Sequence, residues 1–204
     1  MAGLTHDEAV RVARTRLEES IASKQAMLDT DCVEQAAVVA GRLVMAIRAG
    51  GKAVFFGNGG SSMDAGHLAA ELLGRFYIDR PALPAISLPD NTATMTAIGN
   101  DYSYDEVFAR QLLGIARAGD VVVGLSTSGN SENVVRALQT GRQLGAFTVA
   151  MTGASGGRAE GVAELCIKVP SNDTPRIQEA CLHLGHSICE LVEESLFGKG
   201  SHPL

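Results

Sequence analysis

The chain of 204 residues contains no tryptophan, and aromatic residues make up only 4% of it. Alanine, valine, leucine and glycine are abundant instead, a balance that suits helices packed closely on a buried sheet better than an antiparallel sandwich. Hydrophobic residues account for 46% of the chain, which is enough for the core of one ordinary domain. The composition therefore favours a single α/β domain.

The sequence also lacks a long basic run, since 17 lysine and arginine residues face 23 acidic residues for a formal net charge of −6. Nothing in it would attract a polyanion such as DNA over a broad surface. It has neither the apolar core of a signal peptide nor an apolar stretch of about 18 residues. We therefore expect a soluble, cytoplasmic protein that binds neither nucleic acid nor a membrane.

The four cysteines form no CxxC pair and show no spacing typical of a metal site. Cys181 and Cys189 are eight residues apart in what is predicted to be one helix. These features predict buried, reduced thiols rather than disulfides.

The first fifty residues contain no proline and show helical spacing of apolar residues, among them Val10, Leu17 and Ile21. Two helices, over about 1–51, are therefore predicted before any strand. Five short apolar runs rich in β-branched residues then alternate with helix-length segments, the signature of a parallel sheet buried on both faces. A last helix is predicted over about 175–197, which completes a domain over 1–198 and leaves 199–204 as a flexible tail. The predicted strands are 52–56, 84–88, 120–125, 147–151 and 165–169.

Two loops rich in glycine and serine, GNGGSS (57–62) and STSGNS (126–131), follow the first and third predicted strands. Because loops at the carboxyl ends of parallel strands open on the same side of a sheet, these two can converge on one site. Each leads into a predicted helix, whose first N–H groups suit a phosphate, and the hydroxyl groups add uncharged donors. The alternative is that serine and asparagine only cap the helices while glycine serves the turns. Two such loops together favour the phosphate site.

Nucleotide-binding motifs are missing, because the chain has no G-K-[ST] sequence and no complete G-x-G-x-x-G fingerprint with its acidic partner. The phosphate is therefore expected to belong to a small substrate.

His67 and Glu71 are four residues apart, which places both side chains on one face of the helix after the first loop. Gln178 and His186 share one stripe of the last helix, with His183 on a neighbouring line. Nitrogen and oxygen donors on two helices can form a zinc-like site, although glutamine is an unusual ligand. Spacing alone is equally compatible with an exposed histidine–glutamate pair.

Six segments carry a more specific signal through their order along the chain: GNGGSSMDAGHLAAELLGRF, RPALPAISL, AIGNDY, GLSTSGNSENV, MTGASGG and DTPRIQEACLHLGHSICELVE. Together they resemble the phosphoheptose isomerases, a family of sugar isomerase (SIS) domains. The serine-rich loop alone would indicate only a phosphosugar-binding domain. The HLAAE and RIQE segments and the histidine that follows narrow the resemblance to this family.

The resemblance implies a three-layer α/β/α fold of the flavodoxin type and a homotetramer with sites shared between subunits. It also implies an aldose–ketose isomerase that converts sedoheptulose 7-phosphate to D-glycero-D-manno-heptose 7-phosphate through an enediolate. This is the first step toward nucleotide-activated heptoses.

The resemblance further implies an acid/base pair, Glu71 and His186, and a divalent metal, for which zinc is expected. The implied metal ligands are His67, Glu71, Gln178 and His186. The implied substrate-binding residues are Asn58, Gly59, Gly60, Ser61, Asn100, Asp101, Ser126, Thr127, Ser128, Ser131 and Gln178. Asp173 and Thr174 lie where the family varies, and no role is assigned to them.

Two other functions are compatible with the phosphate loops. SIS domains also occur in a replication-initiator-associating protein and in phosphosugar sensors of transcription regulators. A sensor needs the phosphate loop but not the acid/base set, and the chain shows no helix-turn-helix extension, so the enzyme is favoured. Isomerisation of a different phosphosugar stays open, because phosphate loops do not measure the length of a sugar.

Overall fold

A computed structural model of the chain describes residues 3–198, so the predicted tail at 199–204 lies outside the described residues. Its sheet has five parallel strands in the order β2–β1–β3–β4–β5. The strands are β1 (Ala53–Gly57), β2 (Ala85–Ser87), β3 (Val121–Leu125), β4 (Phe147–Thr152) and β5 (Leu165–Lys168). Each strand begins and ends within one residue of its predicted bounds, and the predicted parallel sheet is confirmed.

The helices of the described residues cover both faces of this sheet. They are α1 (His6–Met27), α2 (Cys32–Arg48), α3 (Gly60–Leu73), α4 (Thr92–Asp101), α5 (Ala109–Ile115), α6 (Glu132–Gln143), α7 (Gly157–Glu160) and α8 (Thr174–Phe197), with a 3-10 turn at Tyr104–Glu106. The two N-terminal helices and the long last helix are as predicted. Within residues 3–198 no helix is long and apolar enough to cross a membrane.

Alternation along the strands divides the core into two layers, because successive side chains of a strand point to opposite faces. In β1, Ala53 and Phe55 belong to the cluster formed with α2, α3 and α8. Val54 and Phe56 belong to the other cluster, which α5 and α6 complete. The helices that carry the predicted acid/base residues, α3 and α8, therefore lie side by side on one face.

Helix α1 begins at a capping box, in which the Thr5 hydroxyl accepts the Glu8 N–H and the Glu8 carboxylate accepts the Thr5 N–H. The helix is as predicted, but none of the other residues between 3 and 198 buries its apolar stripe. Val10, Leu17 and Ile21 are 44%, 62% and 57% exposed. Helical spacing predicted the element correctly and did not identify what covers its apolar face.

All four cysteines are free thiols, as predicted. Cys32, Cys181 and Cys189 are buried as well, whereas Cys166 is only partly buried, so the prediction of burial is wrong for that residue. Burial raises the pKa of Cys181 and of Cys189 to about 12. These two thiols are therefore protonated and unreactive in the folded protein.

Candidate active site

The two glycine- and serine-rich loops leave neighbouring strands at the centre of the sheet. Strands β1 and β3 are paired up to their last residues, Gly57 opposite Leu125. Strand β2 lies on the other side of β1, so the chain changes direction across the sheet between β1 and β3. Ligands of open α/β sheets bind at such a reversal, outside the carboxyl ends of the strands.

The loop after β3 folds into a tight turn that leads directly into α6. The Gly129 N–H donates to the Ser126 carbonyl, and the Ser131 carbonyl accepts from the first turn of α6. The hydroxyl oxygens of Ser126 and Ser131 are 3.1 Å apart, and Ser126 is buried. The Ser128 hydroxyl accepts from the Asn130 N–H. Hydroxyl groups thus gather around the amino end of a helix, which is a favourable place for an anion.

The segment after β4, residues 153–159, packs against this turn and hydrogen-bonds to it. The Gly153 N–H donates to the Thr127 carbonyl at 3.0 Å, and the Ala159 N–H donates to the Gly129 carbonyl at 2.9 Å. Gly129 has φ +66°, and a β-carbon there would overlap the Gly156 carbonyl. Only glycine allows the two loops to approach this closely. Their contact explains the MTGASGG segment, which sequence analysis identified only through resemblance.

Two amide side chains join the loop after β1 to α6. Asn58 donates to the Asn133 oxygen at 2.8 Å, and Asn133 donates back to the Asn58 oxygen at 2.9 Å. The Tyr104 hydroxyl also donates to Asn58, at 3.0 Å. Sequence analysis did not single out Asn133 or Tyr104. In the sequence, Asn133 comes directly before Val134 and Val135, and a polar residue beside an apolar pair is a signal for a buried amide. Nothing in the sequence points to Tyr104.

Apart from Gln178, the remaining predicted sugar-site residues lie at the beginning of α3 and at the end of α4. Gly59 and Gly60 lie at the beginning of α3, and the N–H of buried Ser61 donates to the Asn58 carbonyl. Asn100 and Asp101 are exposed at the end of α4, where the Asn100 amide donates to the Asp101 carboxylate at 2.9 Å. Their side chains contact each other, and their segment continues to Tyr104.

Helices α3 and α8 run in the same direction, so residues along one meet residues in the same order along the other. Gly60 lies against Gln178, since a β-carbon at position 60 would be 2.7 Å from the Gln178 amide nitrogen. About two turns further along both helices, a β-carbon at Gly185 would be 2.5 Å from a methyl group of Leu68. Glycine at this crossing lets the two helices approach closely.

Next to this crossing the structure brings together three of the predicted acid/base and metal residues. The Nε2 atoms of His67 and His186 are 2.8 Å apart, and His67 Nε2 is 3.2 Å from a Glu71 oxygen. One donor atom from each of the three residues lies within 4.8 Å of the others. His183 is exposed and is not one of the three.

The three side chains are accessible, since His67 is exposed and the other two are partly buried. Burial, followed by the proximity of His67, lowers the pKa of His186 below its ordinary value. The His186 imidazole is therefore neutral at neutral pH. A neutral imidazole beside a carboxylate can exchange protons with a bound substrate. Two imidazoles and a carboxylate at this spacing also suit a divalent metal such as zinc.

Comparisons with known proteins agree with this geometry. The SIS domain family matches residues 17–153. The phosphoheptose isomerase of Rhodospirillum rubrum is 50% identical over 166 residues, which cover 81% of this chain and 88% of that protein. The phosphoheptose isomerase of Aneurinibacillus thermoaerophilus is 44% identical over 185 residues, or 90% of this chain and 93% of that protein.

Solved structures give the same result. The phosphoheptose isomerase of Francisella tularensis superposes with a TM-score of 0.86 at 31% identity, over 91% of this chain and 98% of that one. The Neisseria gonorrhoeae enzyme of the same name gives 0.82 at 37% identity, with the same coverage. Because the SIS domain model matches most of the chain and these relatives match it over nearly their full length, the chain belongs to the phosphoheptose isomerases, a family of SIS domains.

Proposed function

We propose that the chain is an aldose–ketose isomerase that converts sedoheptulose 7-phosphate to D-glycero-D-manno-heptose 7-phosphate. The observation that carries this proposal is the meeting of Glu71 with His186 at the crossing of α3 and α8. Helix α3 begins at the loop whose Asn58 binds Asn133 of α6, the helix that follows the hydroxyl-rich loop. The four relatives reported above are named phosphoheptose isomerases, which supports the choice of substrate.

The loop 126–131 would hold the phosphate through its hydroxyl groups and the first N–H groups of α6. The sugar would extend toward Asn58, Gly59, Gly60 and Ser61, with Asn100 and Asp101 on the other side. Gln178, which lies against Gly60, would contact the same end of the sugar.

Moving a carbonyl group from C2 to C1 requires three proton movements. A base removes the C1 proton to give a cis-enediolate, a proton passes from O1 to O2, and a proton returns to C2. Glu71 is the residue we assign to the carbon-bound proton, because a carboxylate can accept it and give it back. His186 is assigned to the oxygens, because its imidazole is neutral and can both accept and donate.

The residues that would hold a divalent metal are His67, Glu71, Gln178 and His186, and zinc suits this set of nitrogen and oxygen donors. When bound, such an ion supplies Lewis acidity toward a carbonyl oxygen. A carboxylate that binds a metal is a weaker base, so either Glu71 would be free of the ion when it accepts a proton, or the ion would have a partly structural role. Moderate affinity is expected, since one ligand is a neutral amide and none is a thiolate.

The substrate assignment predicts that the purified protein converts sedoheptulose 7-phosphate, followed by 13C NMR, and leaves the dephosphorylated sugar unchanged. Fructose 6-phosphate, a shorter ketose phosphate, is the control for sugar length. Conversion of fructose 6-phosphate alone would assign a different substrate. Absence of conversion with either sugar would favour a phosphosugar-binding protein.

Removal of metal is predicted to lower activity without unfolding the protein. The three-residue cluster lies at an accessible surface between α3 and α8, whereas the core is apolar and needs no ion. Activity in EDTA should fall and return on addition of zinc, while the thermal unfolding midpoint stays nearly constant. EDTA saturated with calcium is the control. Full activity in chelator, with no metal bound after supplementation, would remove the ion from the mechanism.

We also propose that the chain forms homotetramers in the cytoplasm. The exposed stripe of Val10, Leu17 and Ile21 on α1 supports assembly, because an apolar face of this kind gains free energy when a partner covers it. The four free thiols suit a reducing compartment.

Assembly through α1 predicts that Leu17→Glu reduces the mass of the particle. Each leucine covered by a partner contributes about 1.5–3 kcal/mol, and glutamate at an apolar contact would lose this and add an unpaired charge. Sedimentation velocity should show the wild type as a tetramer and the variant as a smaller species. Glu18→Ala, at a neighbouring exposed residue, is the control. An unchanged mass for Leu17→Glu would place the interface elsewhere.

A further inference from the structure

A buried ion pair lies between α8 and the segment that follows α3, and it takes no part in the chemistry proposed above. The Arg80 guanidinium and the Glu193 carboxylate are 2.9 Å apart, and their side chains are only 1% and 2% exposed. Arg80 follows α3 in the chain, and Glu193 lies on α8, two turns after His186. The pair therefore connects the two helices that carry the acid/base residues.

Glu193 binds the backbone of the segment that follows α3. Its carboxylate accepts the N–H groups of Phe76, Tyr77 and Ile78 at 2.9, 2.5 and 2.7 Å. Burial on its own raises the pKa of Glu193, but these three N–H groups and Arg80 outweigh it and lower the pKa below its ordinary value. The carboxylate is therefore ionised and fully hydrogen-bonded.

Arg80 binds the other side of the same junction, the last carbonyl groups of α3. Its guanidinium donates to the Glu71 carbonyl at 2.9 Å and to the Leu72 carbonyl at 2.7 Å. The last carbonyls of a helix have no partner within the helix, and a cation there also interacts favourably with the helix dipole. One of the two residues capped in this way is Glu71 itself.

A contact on the other helix completes the connection. The Phe76 ring lies 5.9 Å from the His186 ring, centroid to centroid, and the Phe76 N–H is one of those held by Glu193. The ion pair thus acts on both members of the acid/base pair, on Glu71 through its carbonyl and on His186 through Phe76. Neither charged side chain contacts the Glu71 carboxylate or the His186 imidazole.

We propose that Arg80 and Glu193 are positioning residues that set the register of α3 against α8 and so hold the Glu71 carboxylate beside the His186 imidazole. The inference rests on the proposed function for its effect on turnover. The geometry of the three-residue cluster tests it separately.

Two variants probe the pair. Arg80→Lys keeps the charge but loses the planar fork that binds Glu193 and two carbonyl groups of α3 at once. Glu193→Gln keeps the size of the side chain but places amide hydrogens where only acceptors fit. We expect each to lower kcat by about 10- to 100-fold, which is the range for residues that fix the orientation of metal ligands without binding the metal. KM should stay within about twofold of the wild type.

A matched control comes from the opposite end of the sheet. Asp120 is also buried, and it accepts from the Lys52 side chain and from the N–H groups of Lys52 and Arg117. Asp120→Asn removes a buried carboxylate that, like Glu193, accepts several hydrogen bonds. Asp120 lies just before β3, at the opposite end of the strands from the loops of the candidate site. We expect it to lower the unfolding midpoint by a similar amount while kcat, measured well below that midpoint, stays within about twofold.

Binding of Co²⁺ alone gives a readout that does not depend on turnover. His67, Glu71 and His186 must keep their spacing to bind it, so Arg80→Lys and Glu193→Gln should weaken Co²⁺ binding by about tenfold and Asp120→Asn should not. If wild-type protein fails to convert sedoheptulose 7-phosphate, the proposed substrate is wrong and the Co²⁺ titration still tests the pair. Loss of activity equal to that of Asp120→Asn, or unchanged kcat and Co²⁺ affinity in Arg80→Lys, would overturn the inference. If Glu193→Gln does not fold, Arg80→Lys decides.

Discussion

Glu71→Gln is expected to lower turnover of sedoheptulose 7-phosphate by about 100- to 10,000-fold, the usual contribution of a general acid or base. Glutamine keeps the size and reach of the side chain but cannot accept a carbon-bound proton. Since the phosphate loop lies on other elements, binding of the sugar phosphate should persist. Measurement of kcat together with a binding titration separates these two effects.

Exchange of the C1 proton with deuterated solvent identifies the role directly. Glu71→Gln should abolish this exchange, whereas a His186→Ala variant that retains metal should keep part of it. Glu190→Gln, at an exposed carboxylate one turn beyond His186, is the control and should behave as the wild type. Near-normal exchange in Glu71→Gln would make Glu71 a metal ligand only, and the base would then be sought at His186 or Asp101.

Gly129→Ala is expected to weaken binding of the sugar phosphate by about 100-fold or more. A β-carbon at this position would overlap the Gly156 carbonyl, so the two loops must separate and the hydroxyl groups of 126–131 leave their places. Each donor lost from a buried charged acceptor costs about 1–3 kcal/mol, and more than one donor is displaced. The dissociation constant of inorganic phosphate and of the sugar phosphate should rise together.

Gly119→Ala is the control for backbone strain alone. Gly119 also has a positive φ, +88°, but a β-carbon there meets nothing within 4 Å, and it lies just before β3 at the amino end of the strand. It should cost about 1 kcal/mol in the free energy of unfolding and leave phosphate binding unchanged. Equal effects of the two substitutions on phosphate affinity would contradict a role for 126–131 in holding the phosphate.

The sheet was predictable because its strands are buried on both faces, which makes each one a short run of β-branched residues. The division of the chain into helices was predictable for a similar reason, since spacing reports which side of a helix is apolar. Val10, Leu17 and Ile21 mark the limit of this reasoning. Periodicity identifies an apolar stripe, but only the assembled structure shows whether the same chain covers it.

In the candidate site, too, only the features that depend on local spacing were predictable from the sequence. The spacing of His67 and Glu71 predicts a shared helix face, but their approach to His186 depends on the register of two helices more than one hundred residues apart in the chain. That register depends on tertiary contacts, and the roles given to Arg80 and Glu193 had no sequence pattern to suggest them. Tyr104 likewise reaches Asn58 only because the chain folds back over the end of β1.

The close crossing of α3 and α8 has an evolutionary consequence. Gly185 lies between Leu184 and His186, and its missing side chain leaves room for Leu68, which is only 1% exposed. A larger residue at 185 would require Leu68 to move or α8 to shift outward, and an outward shift would carry His186 away from Glu71. A smaller residue at position 68 would have to come first to make room. The order in which these two positions can change is therefore constrained by packing, so that a substitution harmful in one background becomes tolerable in another.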